Sequence, residues 1–328
     1  MSLSGIYTIR NFEKWPSWQC VYEWEEDFSS QLGVRLIYVN EVRYKFLSIY
    51  RKLYRVTNML PIKGKQKISA DNLMLAFLMD PYLVINFSGK NIVPIIIDFW
   101  AHQLDDFERL FKKFEIVFVT SLQIKEILKE RMKGAVRIEY IPLPISRRWK
   151  RPLNDNKSID IIQIGRKNTL LHEYALRLTN EFPGIEYVYQ ENINGQLHYS
   201  STKRGVIGNF HRREDYMRLL HDSKISLVSS PGIDSGKETG DINPITPRFT
   251  ESMINYCYLI GRYSDNLDFT YWKIHDYCPN VNSYEEFKYH VLRYLNLPFD
   301  EVDEYDKFLE NFYADKIAQD VLGFLQRG

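Results

Sequence analysis

The sequence predicts an α/β protein of two domains, each with a parallel sheet covered by helices on both faces. Short β-branched runs alternate with longer segments whose apolar residues recur at helical spacing. This alternation stops once, in the proline-rich stretch Pro142–Asn156, and starts again directly afterwards. Two α/β units in series give this pattern, and 328 residues are enough for two hydrophobic cores.

Six strands and three helices are predicted in the first half of the chain. The strands are Gly5–Arg10, Val34–Val39, Tyr82–Phe87, Pro94–Phe99, Ile116–Thr120 and Val136–Ile141. The helices are Val42–Met59, Ser69–Met79 and Ser121–Met132. The first of these helices places five apolar residues on one face, namely Val42, Phe46, Ile49, Leu53 and Val56. Ser121 follows a strand directly, so we expect it to be the N-cap of its helix.

The stretch Pro142–Asn156 is predicted to be the linker between the domains. It contains three prolines, no apolar period and a cluster of bases, namely Arg147, Arg148, Lys150 and Arg151. We therefore place the first domain at residues 1–145 and the second at residues 157–300. Two such domains form a cleft, and the carboxyl ends of their parallel strands are expected to line it.

The second half repeats the alternation of strands and helices. Its predicted strands are Ile159–Ile164, Ile185–Tyr189, Ile225–Ser229 and Tyr258–Ile260. Its predicted helices are Thr169–Phe182, Arg213–Ser223, Arg248–Tyr256, Tyr284–Leu295 and a long acidic helix, Val302–Gln326. The apolar stripe of that last helix requires a partner surface. The polar stretch Ser230–Pro247 is predicted to be a long loop of the kind that often carries function.

Composition excludes several classes of protein. Lys and Arg total 43 and Asp and Glu total 42, so the broad basic excess of a general nucleic-acid binder is missing. Three scattered cysteines, Cys20, Cys257 and Cys278, do not make a disulfide framework or a zinc site. No apolar run is long enough to span a bilayer, and no signal peptide is recognisable. We therefore expect a cytoplasmic protein whose membrane contact, if any, is peripheral and at the inner face.

The strongest local signal for chemistry is the start of the helix after the long loop. Thr246 stands at the N-cap position, Pro247 and Arg248 lie in the first turn, and Glu251 follows one turn later. Free backbone N–H groups, a hydroxyl and a guanidinium around one spot can hold a diphosphate. The alternative interpretation is a capped helix whose Arg248 and Glu251 form a surface ion pair.

Three segments resemble group-1 glycosyltransferases of the GT-B fold, in their spore-maturation-type, polysaccharide-biosynthesis branch. The run TPRFTESMINYCYLIG, from Thr246 to Gly261, is similar to their nucleotide-binding helix and strand. The run GNFHRREDYMRLLHDSKISLVSS, from Gly208 to Ser230, resembles the helix and strand before it, and IDIIQIGRKN, from Ile159 to Asn168, resembles the first strand of their second domain. In the first half, VFVTS at Val117–Ser121 and YIPLPIS at Tyr140–Ser146 agree in pattern.

The resemblance implies a fold and an activity. It implies two Rossmann-like domains that face each other across a cleft, with residues 301–328 forming a terminal helix that returns to the first domain. It also implies a metal-independent, hexosyltransferase-type enzyme without a separate cofactor. Such an enzyme moves a sugar from a nucleotide-diphosphate-sugar donor to an acceptor, here an unidentified sugar or lipid-linked molecule, in surface polysaccharide or glycoconjugate biosynthesis.

Residue roles follow from the same resemblance. Glu251 matches a glutamate that binds the ribose hydroxyls of the donor, and Arg248 matches a residue beside its diphosphate. The predicted nucleotide site is completed by Gly165, Arg166, Lys167, Ser229 and Thr246. Positive charge there would offset the charge that builds up on the departing nucleotide. Asn243 stands where the retaining enzymes have a second glutamate, which leaves the sugar contact and the stereochemistry open.

Catalytic candidates come from the first half, in the segment Pro94–Phe107. A strand ending near Asp98 is followed by Trp100 and His102, so these side chains are expected at its carboxyl end. His102 could act as a general base or bind the sugar, and Asp98 is the second candidate. The alternative for His102 is a structural hydrogen bond. Asp105 and Asp106 lie on the following helix and are not interpreted as a metal site.

The segment from Glu41 to Lys67 is strongly basic, with eight Lys or Arg against one acid. Its interleaved aromatic residues are Tyr44, Phe46, Tyr50 and Tyr54. A basic aromatic helix could rest on anionic lipid headgroups, as a lipid-linked acceptor would require. The alternative is the solvated face of an ordinary helix.

Two rival functions keep the same fold. One is a nucleotide-sugar epimerase, for which the candidate groups are Asp98, His102, His211 and Glu251. The other is a catalytically inactive protein that binds a nucleotide or a sugar, and the presence of Asn243 favours it. Turnover of a labelled nucleotide sugar separates the inactive protein from a transferase.

Overall fold

The computed structural model describes residues 3–57, 72–87, 90–100, 103–210, 212–234 and 242–327. These residues form two compact units. Unit 1 contains the described residues up to Ser146, Ile242, and those from Tyr313 onward, and unit 2 contains residues 147–234 and 243–312. The boundary between Ser146 and Arg147 falls inside the predicted linker. Each unit has its own six-stranded sheet.

The sheet of unit 1 is entirely parallel. Its strands are β1 (Leu3–Thr8), β2 (Arg35–Tyr38), β3 (Leu73–Leu78), β4 (Ile92–Ile96), β5 (Ile116–Val119) and β6 (Arg137–Tyr140). They are ordered β2-β1-β3-β4-β5-β6. Every residue of β3, β4 and β5 is buried, as expected for parallel strands covered on both faces.

Four helices connect these strands. They are α1 (Trp18–Leu32), α2 (Glu41–Thr57), α3 (Leu104–Phe111) and α4 (Leu122–Met132). The expected N-cap is confirmed, because the Ser121 hydroxyl accepts a hydrogen bond from the Ile124 amide at 3.3 Å. Helices α2 and α4 lie within about two residues of their predicted bounds, whereas no bounds were predicted for α1 and α3.

Two neighbouring predictions in unit 1 are wrong. The helix expected at Ser69–Met79 is the strand β3 over the described residues, and the strand expected at Tyr82–Phe87 is a 3₁₀ helix, Pro81–Phe87. Both segments are buried throughout and almost entirely apolar, so their sequences show no period that separates a strand from a helix. The Asp80 carboxylate accepts from the Tyr82 amide at 2.7 Å and starts the 3₁₀ turn.

The sheet of unit 2 is mixed. Its strands are β7 (Ile159–Gln163), β8 (Tyr187–Ile193), β9 (Gln196–Ser201), β10 (Gly205–Gly208), β11 (Ser223–Ser229) and β12 (Tyr258–Arg262). They are ordered β10-β9-β8-β7-β11-β12, and β9 is antiparallel to both of its neighbours, β8 and β10. The prediction missed β9 and β10. The turn between β8 and β9 has Asn194 and Gly195 at φ values of 53° and 81°, as an Asn-Gly hairpin requires.

The described residues of unit 2 also form α-helices. They are α5 (Thr169–Glu181), α6 (Arg213–His221), α7 (Pro247–Ile254), α8 (Leu267–Tyr271), α9 (Tyr284–Leu295) and α10 (Val302–Leu309). Helix α6 packs beside α7. Within the part of the chain that the structure describes, no helix is long and apolar enough to cross a bilayer.

The single terminal helix predicted at Val302–Gln326 is in fact two helices. The first is α10 in unit 2, and the second is α11 (Ala314–Gln326) in unit 1. Between them, Tyr313 forms a parallel bridge with Ile145, and the Ala314 amide donates to the Ile145 carbonyl at 3.0 Å. The apolar residues of α11 lie in the core of unit 1 against α1. The apolar residues of α10, namely Tyr305, Phe308 and Leu309, are buried in unit 2, so the two helices bury their apolar faces in different units.

Candidate nucleotide site

The carboxyl edge of the parallel strands β7 and β11 carries most of the predicted binding residues. Gly165, Arg166 and Lys167 follow β7, and Ser229 is the buried last residue of β11. The two strands are direct parallel neighbours, so their carboxyl ends lie at the same edge of the sheet. Helix α7 starts at this edge because it leads back towards the amino end of β12.

Arg248, the second residue of α7, lies against the turn after β7. Gly165 has φ = 72°, and a Cβ added there would lie 3.4 Å from the Arg248 Nε. The Arg248 Nη1 donates to the Arg166 carbonyl at 3.2 Å. Glycine is favoured here because it permits the left-handed turn against which the guanidinium packs.

Glu251 is only 2% exposed and is held by two residues of α6. The Arg213 Nη2 lies 2.6 Å from its Oε1, and the Tyr216 hydroxyl donates to its Oε2. Sequence analysis assigned no role to Arg213 or Tyr216. Their three-residue spacing, which places them on one side of a helix, is the signal that could have found them.

The phenols around Glu251 remain protonated at physiological pH. Burial raises the pKa of Tyr216 well above its ordinary value, and the Glu251 carboxylate raises it further. Burial also raises the pKa of Tyr199 on β9, as does Glu251, although Arg248 and a hydrogen bond with the Gly165 backbone lower it in part. Arg213 and Arg248 together outweigh the single charge of Glu251. The cluster is therefore electropositive and suited to an anion.

Two buried hydroxyls at this edge have no hydrogen-bond partner among the described residues. Thr246 has the extended backbone of an N-cap, but its hydroxyl makes no capping bond. Ser230, which follows β11 and was not predicted, has the second such hydroxyl. A buried hydroxyl without a partner destabilises the protein, so both are suited to bond a ligand.

Arg166 and Lys167 differ in their exposure and in their contacts. The Arg166 side chain is exposed. The Lys167 Nζ lies 3.5 Å from the His172 Nε2 and 4.8 Å from the centre of the Tyr189 ring. Burial, together with the charge of Lys167, lowers the pKa of His172 to about 4, so the imidazole is neutral at pH 7. Lys167 thus has local partners on α5 and β8.

A polar network that the sequence analysis did not identify holds the loop after β11. Asp234 forms an ion pair with Arg262 at 2.6 Å and accepts from the Asn168 side chain at 2.5 Å. Burial opposes ionisation of Asp234, but the hydrogen bonds from Arg262 and Asn168 outweigh it and lower the pKa. Asn168 is also the N-cap of α5, with its side chain accepting from the Leu171 amide. The network ties the loop to the helix that follows the Gly165 turn.

The remaining predicted residues lie elsewhere or are not described. Asn243 is buried before α7, and its carbonyl accepts from the Asn266 side chain at 2.7 Å. Asp98 is half-buried in unit 1, two residues after β4. His102 and His211 lie outside the described residues. Among the residues that are described, no group of three or more His, Cys, Asp or Glu could hold a metal ion.

Replacing Gly165 by alanine should weaken nucleotide binding at least fivefold, because alanine disfavours the left-handed turn (φ = 72°) against which the Arg248 guanidinium lies. It should also lower the free energy of unfolding by about 1–2 kcal/mol, since alanine is strained in the left-handed region. Gly195→Ala is the matched control, with φ = 81° and no atom within 4 Å of an added Cβ. Calorimetric titration and urea unfolding of both variants test this. An equal loss of binding in both would show that the effect is not specific to the Gly165 turn.

The chain was compared with known proteins. No protein-family model and no curated protein matches the sequence. Among solved structures, Anabaena HepE in complex with UDP and glucose is 9% identical, with 99% of each chain covered and a TM-score of 0.59. AviGT4, a glycosyltransferase involved in avilamycin A biosynthesis, is 11% identical, with 99% and 96% covered and a TM-score of 0.56.

Some similar structures are much longer than this chain. S. aureus TarM, whose structure contains UDP, is 11% identical at a TM-score of 0.54, and the match covers 84% of this chain and 58% of TarM. The match to pneumococcal GtfA covers 60% of that protein. The matches to HepE, AviGT4 and TarM extend over most of this chain and show its fold. The chain has the GT-B glycosyltransferase fold.

Proposed function

We propose that this protein is a glycosyltransferase that moves a sugar from a nucleoside-diphosphate-sugar donor to an acceptor. The observation that carries the proposal is the contact of Arg248 with the Gly165 turn at the start of α7. HepE binds UDP and glucose, and TarM binds UDP, so we take a uridine-diphosphate sugar as the first donor to test.

In this proposal the diphosphate binds at the start of α7. Arg248 donates to its oxygens, and the backbone amides of the first helical turn and the Thr246 hydroxyl complete the site. The positive charge stabilises the nucleotide as it departs. We propose that this fixed charge takes the place of a metal ion, so that activity persists in a chelator, and that no separate cofactor is needed.

Glu251 is proposed to bind the ribose. Each carboxylate oxygen can accept two hydrogen bonds, so the contacts with Arg213 and Tyr216 leave capacity for the ribose hydroxyls. Arg213 and Tyr216 then act as positioning residues that fix the orientation of the carboxylate.

The catalytic groups are proposed to come from unit 1, with His102 as the base or sugar ligand and Asp98 as the second candidate. His102→Ala should lower turnover at least tenfold and leave nucleotide affinity within about threefold, since the nucleotide contacts proposed above are all in unit 2. Unchanged turnover would leave His102 with a structural role. We propose that the reaction takes place in the cytoplasm and builds a surface polysaccharide or glycoconjugate from a sugar or lipid-linked acceptor.

The decisive experiment combines binding with turnover. UDP at a hundred times its dissociation constant should raise the free energy of unfolding by about 2.7 kcal/mol, measurable by thermal shift. Labelled UDP-glucose should then yield free UDP together with glucosylated acceptor or glucose. Binding without turnover would favour the inactive binding protein, and conversion of the labelled sugar into its epimer would favour the epimerase.

A further inference from the structure

Helix α2 presents an apolar stripe to solvent. Val42, Phe46, Ile49 and Leu53 follow one another at helical spacing and are 77%, 57%, 58% and 53% exposed. We call these four residues the α2 stripe. The face that α2 buries is instead aromatic and polar, with Tyr44 at 6% and Tyr54 at 1% exposure. Four large apolar side chains aligned on one exposed helix face are the mark of a binding surface.

The stripe is bordered by basic residues. Lys45 and Lys52 lie seven residues apart and therefore on one side of the stripe, next to Ile49. They line a groove of about 940 Å³ between α2 and the segment that contains Phe12 and Lys14. Among the described residues lining this groove, Glu41 is the single acid, and it already pairs with Lys45 at 2.5 Å. The groove is therefore cationic beside an apolar ridge.

We propose that α2 docks this protein on an anionic lipid surface. The α2 stripe enters the boundary between headgroups and acyl chains, while Lys14, Lys45 and Lys52 contact lipid phosphates. Trp15 follows Lys14 and is 72% exposed, and tryptophan is the residue that favours this boundary. The proposal goes beyond the donor site and does not depend on it.

The positive charge of the α2 face favours a lipid surface over a second copy of the chain as its binding partner. In a symmetric dimer through this face, the same lysines would lie against each other and repel. An anionic bilayer supplies both an apolar phase for the stripe and negative charge for its border. The overall net charge is only +1, so the attraction comes from this local cluster and not from the whole molecule.

Sedimentation with vesicles tests the proposal. The protein should bind vesicles of phosphatidylcholine with one third phosphatidylglycerol at least tenfold more tightly than vesicles of phosphatidylcholine alone, and added salt should weaken that binding. Phe46→Glu with Ile49→Glu, and separately Lys45→Glu with Lys52→Glu, should each lower the affinity at least tenfold. All four side chains are exposed, so both variants should remain folded.

Matched controls make the experiment specific. Tyr289→Glu changes an exposed ring on α9 of unit 2, and Lys129→Glu reverses an exposed charge on α4 of unit 1. Both should bind anionic vesicles like the parent. Absence of binding, equal binding to both kinds of vesicle, or unchanged binding of the two α2 variants would each overturn the proposal. So would a parent dimer that the α2 variants convert to monomers without any vesicle binding.

UDP titration of the same variants tests whether the loss of vesicle binding is independent of the donor site. The α2 variants should bind UDP like the parent, because α2 lies in unit 1 and all proposed nucleotide contacts lie in unit 2. Loss of vesicle binding with UDP binding retained supports membrane docking on its own. Loss of both would show a folding defect, and the proposal would then be decided by the parent alone, whose binding must depend on anionic lipid and on salt.

Discussion

Replacing Arg248 by alanine is expected to weaken UDP binding by about tenfold to a hundredfold while the protein remains folded. Charge-assisted hydrogen bonds to a phosphate contribute on the order of 1.5–3 kcal/mol, which corresponds to that range of affinity. The guanidinium is only partly buried, and its hydrogen bond to the described part of the protein is the 3.2 Å bond to the Arg166 carbonyl. Its loss should therefore cost little stability.

Calorimetric titration with UDP measures this effect directly. Arg218→Ala is the matched control, since Arg218 is an exposed arginine of α6 in the same unit and pairs only locally, with Asp215 at 2.9 Å. It should bind UDP like the parent. If Arg248→Ala also does so, the start of α7 is a helix terminus without a ligand, and the glycosyltransferase proposal loses its main support.

Replacing Glu251 by glutamine is expected to lower the free energy of unfolding by about 3 kcal/mol. The substitution leaves the charge of Arg213 buried without its partner 2.6 Å away, and an uncompensated buried charge is strongly destabilising. Uridine and UDP should bind more weakly as well. Pyrophosphate should be affected less, because the proposed partner of Glu251 is the ribose.

Urea unfolding and titrations with UDP and pyrophosphate check both parts of this prediction. Glu214→Gln, an exposed residue of α6 paired with the exposed Arg212, should change stability by no more than about 0.5 kcal/mol. The double variant Arg213→Leu with Glu251→Gln removes both charges and should recover stability but not UDP affinity. An unchanged unfolding curve for Glu251→Gln would show that the pair contributes little, and equal losses for UDP and pyrophosphate would refute the ribose contact.

The helices and strands that the sequence predicted well are those with a clear local signal. Helix α9 has its predicted bounds, Tyr284–Leu295, because Ser283 caps it and its apolar residues keep a helical period. The strand β3 was predicted as a helix and the 3₁₀ helix after it as a strand. A segment that is buried on all sides has no hydrophobic period that distinguishes the two. The break before α11 was missed because it depends on the contact between Tyr313 and Ile145, which lie far apart in the sequence.

The candidate site also contains residues that a local sequence signal predicted and residues that it did not. Thr246, Arg248 and Glu251 could be proposed as site residues from the sequence, because the start of a helix after a long loop is a local pattern. The amino-acid sequence there also resembles a known family. Their partners could not. Arg166 is 82 positions from Arg248, and Arg213 reaches Glu251 only because α6 packs beside α7. Such contacts depend on strand order and helix packing, which no local pattern contains.

Helix α2 shows most clearly what the sequence determines and what only the tertiary structure determines. Its sequence determined by itself that a helix forms there and that Val42, Phe46, Ile49 and Leu53 share one face. Only the tertiary structure decided that this face is exposed. The rings of Phe12 and Tyr44 stack at 4.2 Å, and the Tyr54 hydroxyl donates to Asp106 at 3.3 Å, so the opposite side of the helix is buried. A helix buries the side for which the rest of the chain supplies partners, and those partners come from distant segments.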